Sequence, residues 1–251
     1  MFGPLVIAYL FLGGAGAGAC VVVSIVGLLV PSADLASSET QRIEAPGEYR
    51  RLLVPVLAVA AAAVTVGVFC LLADLGNAQA VLGVFAAGMA SWANVGVVAL
   101  VACVAVSLLQ LVVLELVPGA PLLALRLLQA LGIVFGFLAA AYTGLLLMDM
   151  SGVPLWSTLW LVVLFALSAC SCGFAIFAAS AVLSGAWDYF AGALARFTAV
   201  DMALVALEGA ALACFVLLRV GGDGVAAAAV ASSVSELLTG DLSIAFWMGA
   251  V

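Results

Sequence analysis

Long apolar runs separated by short polar breaks organise this chain, a pattern with neither the 3.6-residue period of a surface helix nor the alternation of a half-buried strand. Residues 4–30 hold no charged side chain. A membrane-spanning helix needs about 20 consecutive apolar residues, so 4–30 predicts a first span. It lacks the basic leader and small-residue cleavage site of a signal peptide, and is expected to be retained. Residues 31–51 (PSADLASSETQRIEAPGEYRR) form the only long polar stretch and predict a solvent loop. A second span, 52–73, ends at Asp74-Leu75-Gly76-Asn77, where Gly and Asn permit a left-handed helix stop. Further spans are expected at 79–114, 121–147, 154–185 and 197–218, with a partial one from 242, all within a single transmembrane domain, 1–251. Residues 224–235 are apolar but too short to cross.

Residues 75–114 carry no charge and are too long for one straight crossing, barely enough for two. The arginines decide between these readings, because cytoplasmic loops are enriched in basic residues. One crossing places Arg42, Arg50, Arg51, Arg126 and Arg196 on one side and Arg219 on the other, five to one; two crossings give four to two. The single crossing is preferred. It puts the amino terminus outside, the 31–51 loop in the cytoplasm, and residues 78–91 in a slanted or surface-lying approach.

Composition narrows the chemistry. The chain is 68% hydrophobic and 8% charged, whereas soluble domains are near 45–50% apolar and 25% charged. A cytosolic enzyme is excluded. Six scattered arginines and no lysine cannot face a phosphate backbone, so nucleic-acid binding is excluded too. No histidine is present, which removes the usual ligand of haem in a helical bundle and of transition metals. Neither haem nor a metal site is expected. The six cysteines fall inside apolar runs at spacings matching no zinc or iron–sulfur template, and read as packing residues.

In this topology Tyr9, Asp74, Asn94, Tyr142, Asp149 and Trp156 lie toward the outer face, and Glu115, Arg126, Asp188 and Arg196 at the inner ends. Asp201 and Glu208 stand seven residues apart, two turns along one face of the sixth span. With no lysine to pair them, they read as a proton path or a hydrogen-bonded network. Intramembrane carboxylates are costly and are functional candidates for that reason. The tyrosines and tryptophans also suit the aromatic belt at the headgroup level. A faint repeat links Phe11-Leu-Gly-Gly-Ala-Gly-Ala-Gly-Ala19 to Phe165-Ala-Leu-Ser-Ala-Cys-Ser-Cys-Gly173, and small-residue stripes of this kind allow close helix approach in lipid.

Five stretches in order carry a family resemblance: Ala8-Tyr-Leu-Phe-Leu-Gly-Gly-Ala-Gly-Ala-Gly18, Ala73-Asp-Leu-Gly-Asn77, Met89-Ala-Ser-Trp92, Ala141-Tyr-Thr-Gly-Leu145 with Pro154-Leu-Trp-Ser157, and Val200-Asp-Met-Ala-Leu-Val-Ala-Leu-Glu208. Together they resemble the NrfD/polysulfide-reductase type of quinone-interacting membrane subunit. The resemblance implies an all-α bundle of eight helices in two pseudo-repeated four-helix halves, lying in the cytoplasmic membrane and free of haem. It implies an iron–sulfur, ferredoxin-like partner and a catalytic oxidoreductase subunit, which alone hold iron–sulfur clusters and molybdopterin. It further implies a site for menaquinone or ubiquinone at Tyr9 and Tyr142. Phe246-Trp-Met-Gly-Ala-Val251 resembles the start of the family's seventh helix, so most of the last two helices are expected to be missing from this chain.

Oxidising a quinol requires hydrogen bonds to its ring oxygens and a path for two protons. Tyr9, Tyr142, Asn94 and Trp156 are the candidate binding residues, Asp74 and Asp149 the candidate proton acceptors, and Asp201 and Glu208 the candidate proton path. Two readings compete with this one: a secondary transporter or ion-translocating subunit using Asp74, Asp201 and Glu208 as coupling carboxylates, and an inert anchor with the family fold.

Overall fold

The computed structural model describes residues 3–31, 35, 43, 47–75, 92–117, 119–148, 156, 158–185, 187–220, 230, 232–236, 239–240 and 243–244. Its long elements are α1 (Pro4–Leu29), α2 (Gly47–Leu75), α3 (Trp92–Leu116), α4 (Leu122–Met148), α5 (Leu159–Leu183) and α6 (Trp187–Val220). Each contains a stretch long and apolar enough to cross a membrane. The chain is an all-α, multi-pass membrane protein.

Some helices extend past the predicted runs. α2 starts at Gly47 and takes in Tyr49, Arg50 and Arg51, while α6 starts at Trp187. Hydropathy marks only the lipid-facing part of a helix, and the hydrogen-bonded ladder continues into water with polar residues attached. α3 begins at Trp92; residues 79–91 of the predicted third span, and all of the partial span from 242 except Ser243 and Ile244, lie outside the described residues.

α1 is the axis of the bundle: 72% of its apolar stretch is buried, against 11% for α6. It packs on α2, α4 and α5. The cause is its run of residues no larger than alanine from Gly13 to Ala19, since helices in lipid associate by close packing rather than by a hydrophobic drive. A Cβ on Gly16 would stand 2.9 Å from Val64 N and 3.0 Å from Ala60 O of α2. On the α4 side, a Cβ on Gly136 would stand 3.0 Å from Ala17 O. Toward α5 the fit is closer still. A Cβ on Gly18 would fall within the Ala169 carbonyl, and one on Gly173 would meet the backbone of Gly18 and Ala19. The two stretches that echo each other in sequence are therefore the surfaces that pack together.

Polar side chains tie α1, α3 and α4 along one seam. Ser107 Oγ donates to Cys103 O at 2.8 Å and lies 3.1 Å from Cys20 Sγ. One turn further, Gln110 Nε2 donates to Ser24 Oγ and to Leu128 O, each at 3.1 Å. At the foot of the seam Arg126 donates to Gly27 O at 2.5 Å and Val30 O at 2.6 Å, and its Nη1 lies 3.4 Å from Gln129 Oε1. Ser24, Ser107, Gln110 and Gln129 are all buried. In a medium without water, such groups must find partners within the protein.

The same end is closed by Arg50, whose Nη2 donates to Leu114 O, and by Ile43 N, which donates to Ala120 O at 2.9 Å. Gly119 (φ 75°) and Gly185 (φ 69°) supply the left-handed residues that turn α3 into α4 and α5 into α6. Arg50, Arg126 and Arg196 thus gather at one end of the bundle. Asp74, Tyr9 and Tyr142 lie toward the other.

Candidate functional site

Tyr9 sits two turns into α1 and turns into the bundle, with 0% of its surface exposed. Its ring lies over Gly13, where a Cβ would stand 3.2 Å from Tyr9 Cε2. Gly67 of α2 in turn approaches Gly13 so closely that a Cβ there would stand 3.1 Å from Gly13 N. Two glycines therefore make the space in which a phenol can be enclosed between helices. The hydroxyl it encloses has no hydrogen-bond partner among the described residues. Burying an unpaired hydroxyl costs about 1–3 kcal/mol, and orphaned buried polar atoms are rare in folded proteins.

Tyr142, in the last third of α4, is the electrostatic neighbour of Tyr9 and is 6% exposed. Its ring covers Gly96 of α3 so closely that a Cβ on Gly96 would fall inside it. Beside it, Thr143 Oγ1 donates to Ala140 O at 2.6 Å, which leaves no hydroxyl proton there for a ligand. Three helices, α1, α3 and α4, thus bring two phenols into one buried place.

Asp74 stands apart from that pair. It is exposed in the last turn of α2, and its Oδ1 would be 2.6 Å from a Cβ on Gly3, the residue capping α1. The carboxylate lies over the positive end of the α1 dipole, and α1 has no acid of its own in its first turn. Gly3 precedes Tyr9 by six residues, about 9 Å along the helix. Asp74 therefore lies at the same end of the bundle as the tyrosines. Asp149 and the side chain of Asn94 lie outside the described residues.

Trp156 is half-buried and packs with Phe215, Val230 and Val234, in an apolar cluster separate from the one containing the tyrosines. Asp201 and Glu208 share the face of α6 turned to α5, where both act on Cys172 and Ser168 is a hydrogen-bonding neighbour of Glu208. Asp201 Oδ1 is buried without a partner among the described residues. Among the described residues no group of His, Cys, Asp and Glu is arranged to hold a metal ion.

A family profile described as polysulphide reductase, NrfD, matches the chain over residues 1–251. The chain belongs to the NrfD family. Neither a curated protein nor a solved structure matches it. NrfD-family chains are membrane subunits of quinone-linked oxidoreductases; they interact with quinone and typically partner iron–sulfur and catalytic subunits. The residues of this NrfD-family chain that sequence reasoning passed over are Ser24, Gln110 and Gln129. The available signal was an uncharged polar side chain inside an apolar span, which hydrogen bonding between helices explains.

Proposed function

We propose that this chain binds the head of a lipid quinone, menaquinol in the working direction, between α1 and α4, and passes its electrons to an iron–sulfur subunit docked over the Asp74 end. The observation that carries the reading is the buried hydroxyl of Tyr9, without a partner among the described residues, beside Tyr142. A quinone suits that place: its ring oxygens accept hydrogen bonds, and its flat apolar ring matches walls of glycine and aromatic carbon. A bound quinol supplies two electrons and two protons.

The chain's own groups then have separate tasks. Tyr9 and Tyr142 each direct a hydroxyl into the site and so orient the headgroup, while the burial of both excludes bulk water. Asp74, exposed at the same end of the bundle, takes a proton and releases it to solvent. Asp149, just beyond the end of α4, shares that task. In this reading Asn94, in the first turn of α3, is a further candidate for the headgroup, and Trp156, held in the cluster around Phe215, is left out of the site. The catalytic module that receives the electrons is extracytoplasmic and molybdopterin-dependent, the amino terminus is outside, and the protein resides in the cytoplasmic membrane.

A second proton route is favoured by one observation, the Asp201 Oδ1 on the α5 face of α6, buried without a partner among the described residues. Asp201 and Glu208 with Ser168 form a polar file along that interface. It serves either to move protons alongside electron transfer or to couple ions in a transporter.

The deciding experiment is quinol-dependent turnover of the assembled complex carrying Tyr9→Phe or Tyr142→Phe, with quinone binding measured on the same preparation. Assembly intact with turnover and binding reduced supports the site. Intact assembly with wild-type turnover at limiting quinol moves it elsewhere.

A further inference from the structure

At the arginine-bearing end, away from the tyrosines, a crevice of about 480 Å³ lies among α1, α2, α5 and α6. Val26, Leu52, Leu53, Phe177 and Phe197 give it apolar lining, and Tyr49 and Arg196 line it as well. That volume lies within the ~300–1,000 Å³ range of ordinary ligand pockets. The polar groups are not scattered through it. Tyr49 and Leu194 are the first residues of the apolar stretches of α2 and α6, so Tyr49 and Arg196 lie at the depth where hydrocarbon gives way to headgroups, with the apolar walls one side of them.

The arginines at this end differ in what they have left to give. Arg126 is committed to the carbonyls of Gly27 and Val30, and Arg50 Nη2 to that of Leu114. Arg196 is exposed, and its described hydrogen bond is from Nε to Gly192 O of its own helix, at 3.3 Å. Both of its Nη groups, the pair that forks onto phosphate oxygens, are turned to no described residue.

We infer that this crevice holds an anionic phospholipid, an acyl chain lying along Phe177 and Leu53 and the phosphate meeting the Arg196 guanidinium. Charge complementarity selects the occupant. The walls suit any lipid chain, but a single exposed guanidinium at headgroup depth favours a net-negative head over a zwitterionic one, whose own ammonium repels it. Gathering of arginines at this end also fits the cytoplasmic leaflet, where anionic lipids collect and where basic pockets between helices bind their heads. The lipid would join α6, whose main helix contact among the described residues is α5, to α2.

The test uses the full chain, purified in detergent and exchanged into nanodiscs holding equal phosphatidylglycerol and phosphatidylcholine, with retained lipid counted by native mass spectrometry. Wild type should retain phosphatidylglycerol preferentially. Arg196→Gln should lower that preference about fivefold, the worth of one basic residue near the membrane surface. Arg196→Lys should keep most of it, and Arg51→Gln, at the same end but off the crevice, all of it. Val200→Trp, which fills the wall, should reduce retention of either lipid, so the inference stays testable if a charge variant fails to fold. Equal retention of the two lipids by wild type, an Arg196→Gln preference equal to wild type, or retention of quinone in place of phospholipid overturns it.

Discussion

Arg126 holds the carbonyl of Gly27 with one nitrogen and that of Val30 with the other, closing the last turn of α1 from the neighbouring helix. Those carbonyls carry the negative end of the α1 dipole. At the opposite end of the same helix, Asp74 lies over Gly3 and faces the positive end. α1 has no basic residue in its last turn and no acid in its first. Both charges that its ends require are supplied by α2 and α4, which couples the central helix to its neighbours at two points some 25 residues apart.

Arg126→Ala should therefore destabilise the bundle by about 1–3 kcal/mol, the range for losing hydrogen bonds to a charged donor while two carbonyls remain unpaired. Thermal unfolding of the purified chain measures it. Arg126→Lys, with one compact ammonium in place of a fork, should recover only part of the loss.

Gly18 tolerates no side chain. Gly18→Ala drives a methyl into the Ala169 carbonyl, and because this contact is backbone on backbone, neither helix can yield by a rotamer change. Separation of α1 from α5 should cost at least about 1–3 kcal/mol, seen as a lower unfolding temperature and poor accumulation in the membrane. Gly209→Ala, where a Cβ meets nothing within 4 Å, serves as the control and should behave as wild type.

Tyr9→Phe separates binding from stability. Because the Tyr9 hydroxyl has no partner among the described residues, deleting it relieves a buried polar group, and the isolated chain should be unchanged or more stable by up to about 1–3 kcal/mol. Quinone binding should weaken by ~0.5–1.5 kcal/mol through loss of one hydrogen bond. Tyr142→Phe should show the same direction for binding. A fall in stability with unaltered quinone affinity would make Tyr9 a packing residue.

Asp74→Asn keeps size and removes proton exchange. Turnover should fall more than quinone affinity. Loss of the charge over α1 should cost a further ~0.3–1 kcal/mol of stability, read by thermal unfolding, while assembly with the partner survives.

Orientation is open to a chemical test. A cysteine at Ser38 should be shielded from an impermeant thiol reagent in intact cells and become reactive on permeabilisation. Ready labelling in intact cells would invert the topology and place the tyrosine end at the cytoplasmic face.

The membrane class, the helical content and the family were all legible in the chain, because length and apolarity alone specify a spanning helix when the solvent is hydrocarbon. So was the shared face of Asp201 and Glu208, which follows from helical spacing within one element. The small-residue run at 13–19 announced close packing, and its partner was hinted at by the echo at 165–173. Nothing in the pattern said that Gly18 and Gly173 meet each other, or that Gly96 exists to receive the ring of Tyr142.

The remaining questions were decided by tertiary structure, since a span that is apolar on every side gives no sign of which face is buried. Hydropathy treats Tyr9 and Trp156 alike, as aromatic residues near an outer helix end. Packing separates them, enclosing Tyr9 without a partner among the described residues and setting Trp156 in a cluster around Phe215. Asp74 and Arg126 read as ordinary charges at helix ends, and only the approach of α2 and α4 to α1 turned them into the charges of another helix's termini. In the same way Gln110 and Ser24, 86 residues apart and neutral in any charge count, became bonded because a buried amide in lipid must find its partner across helices.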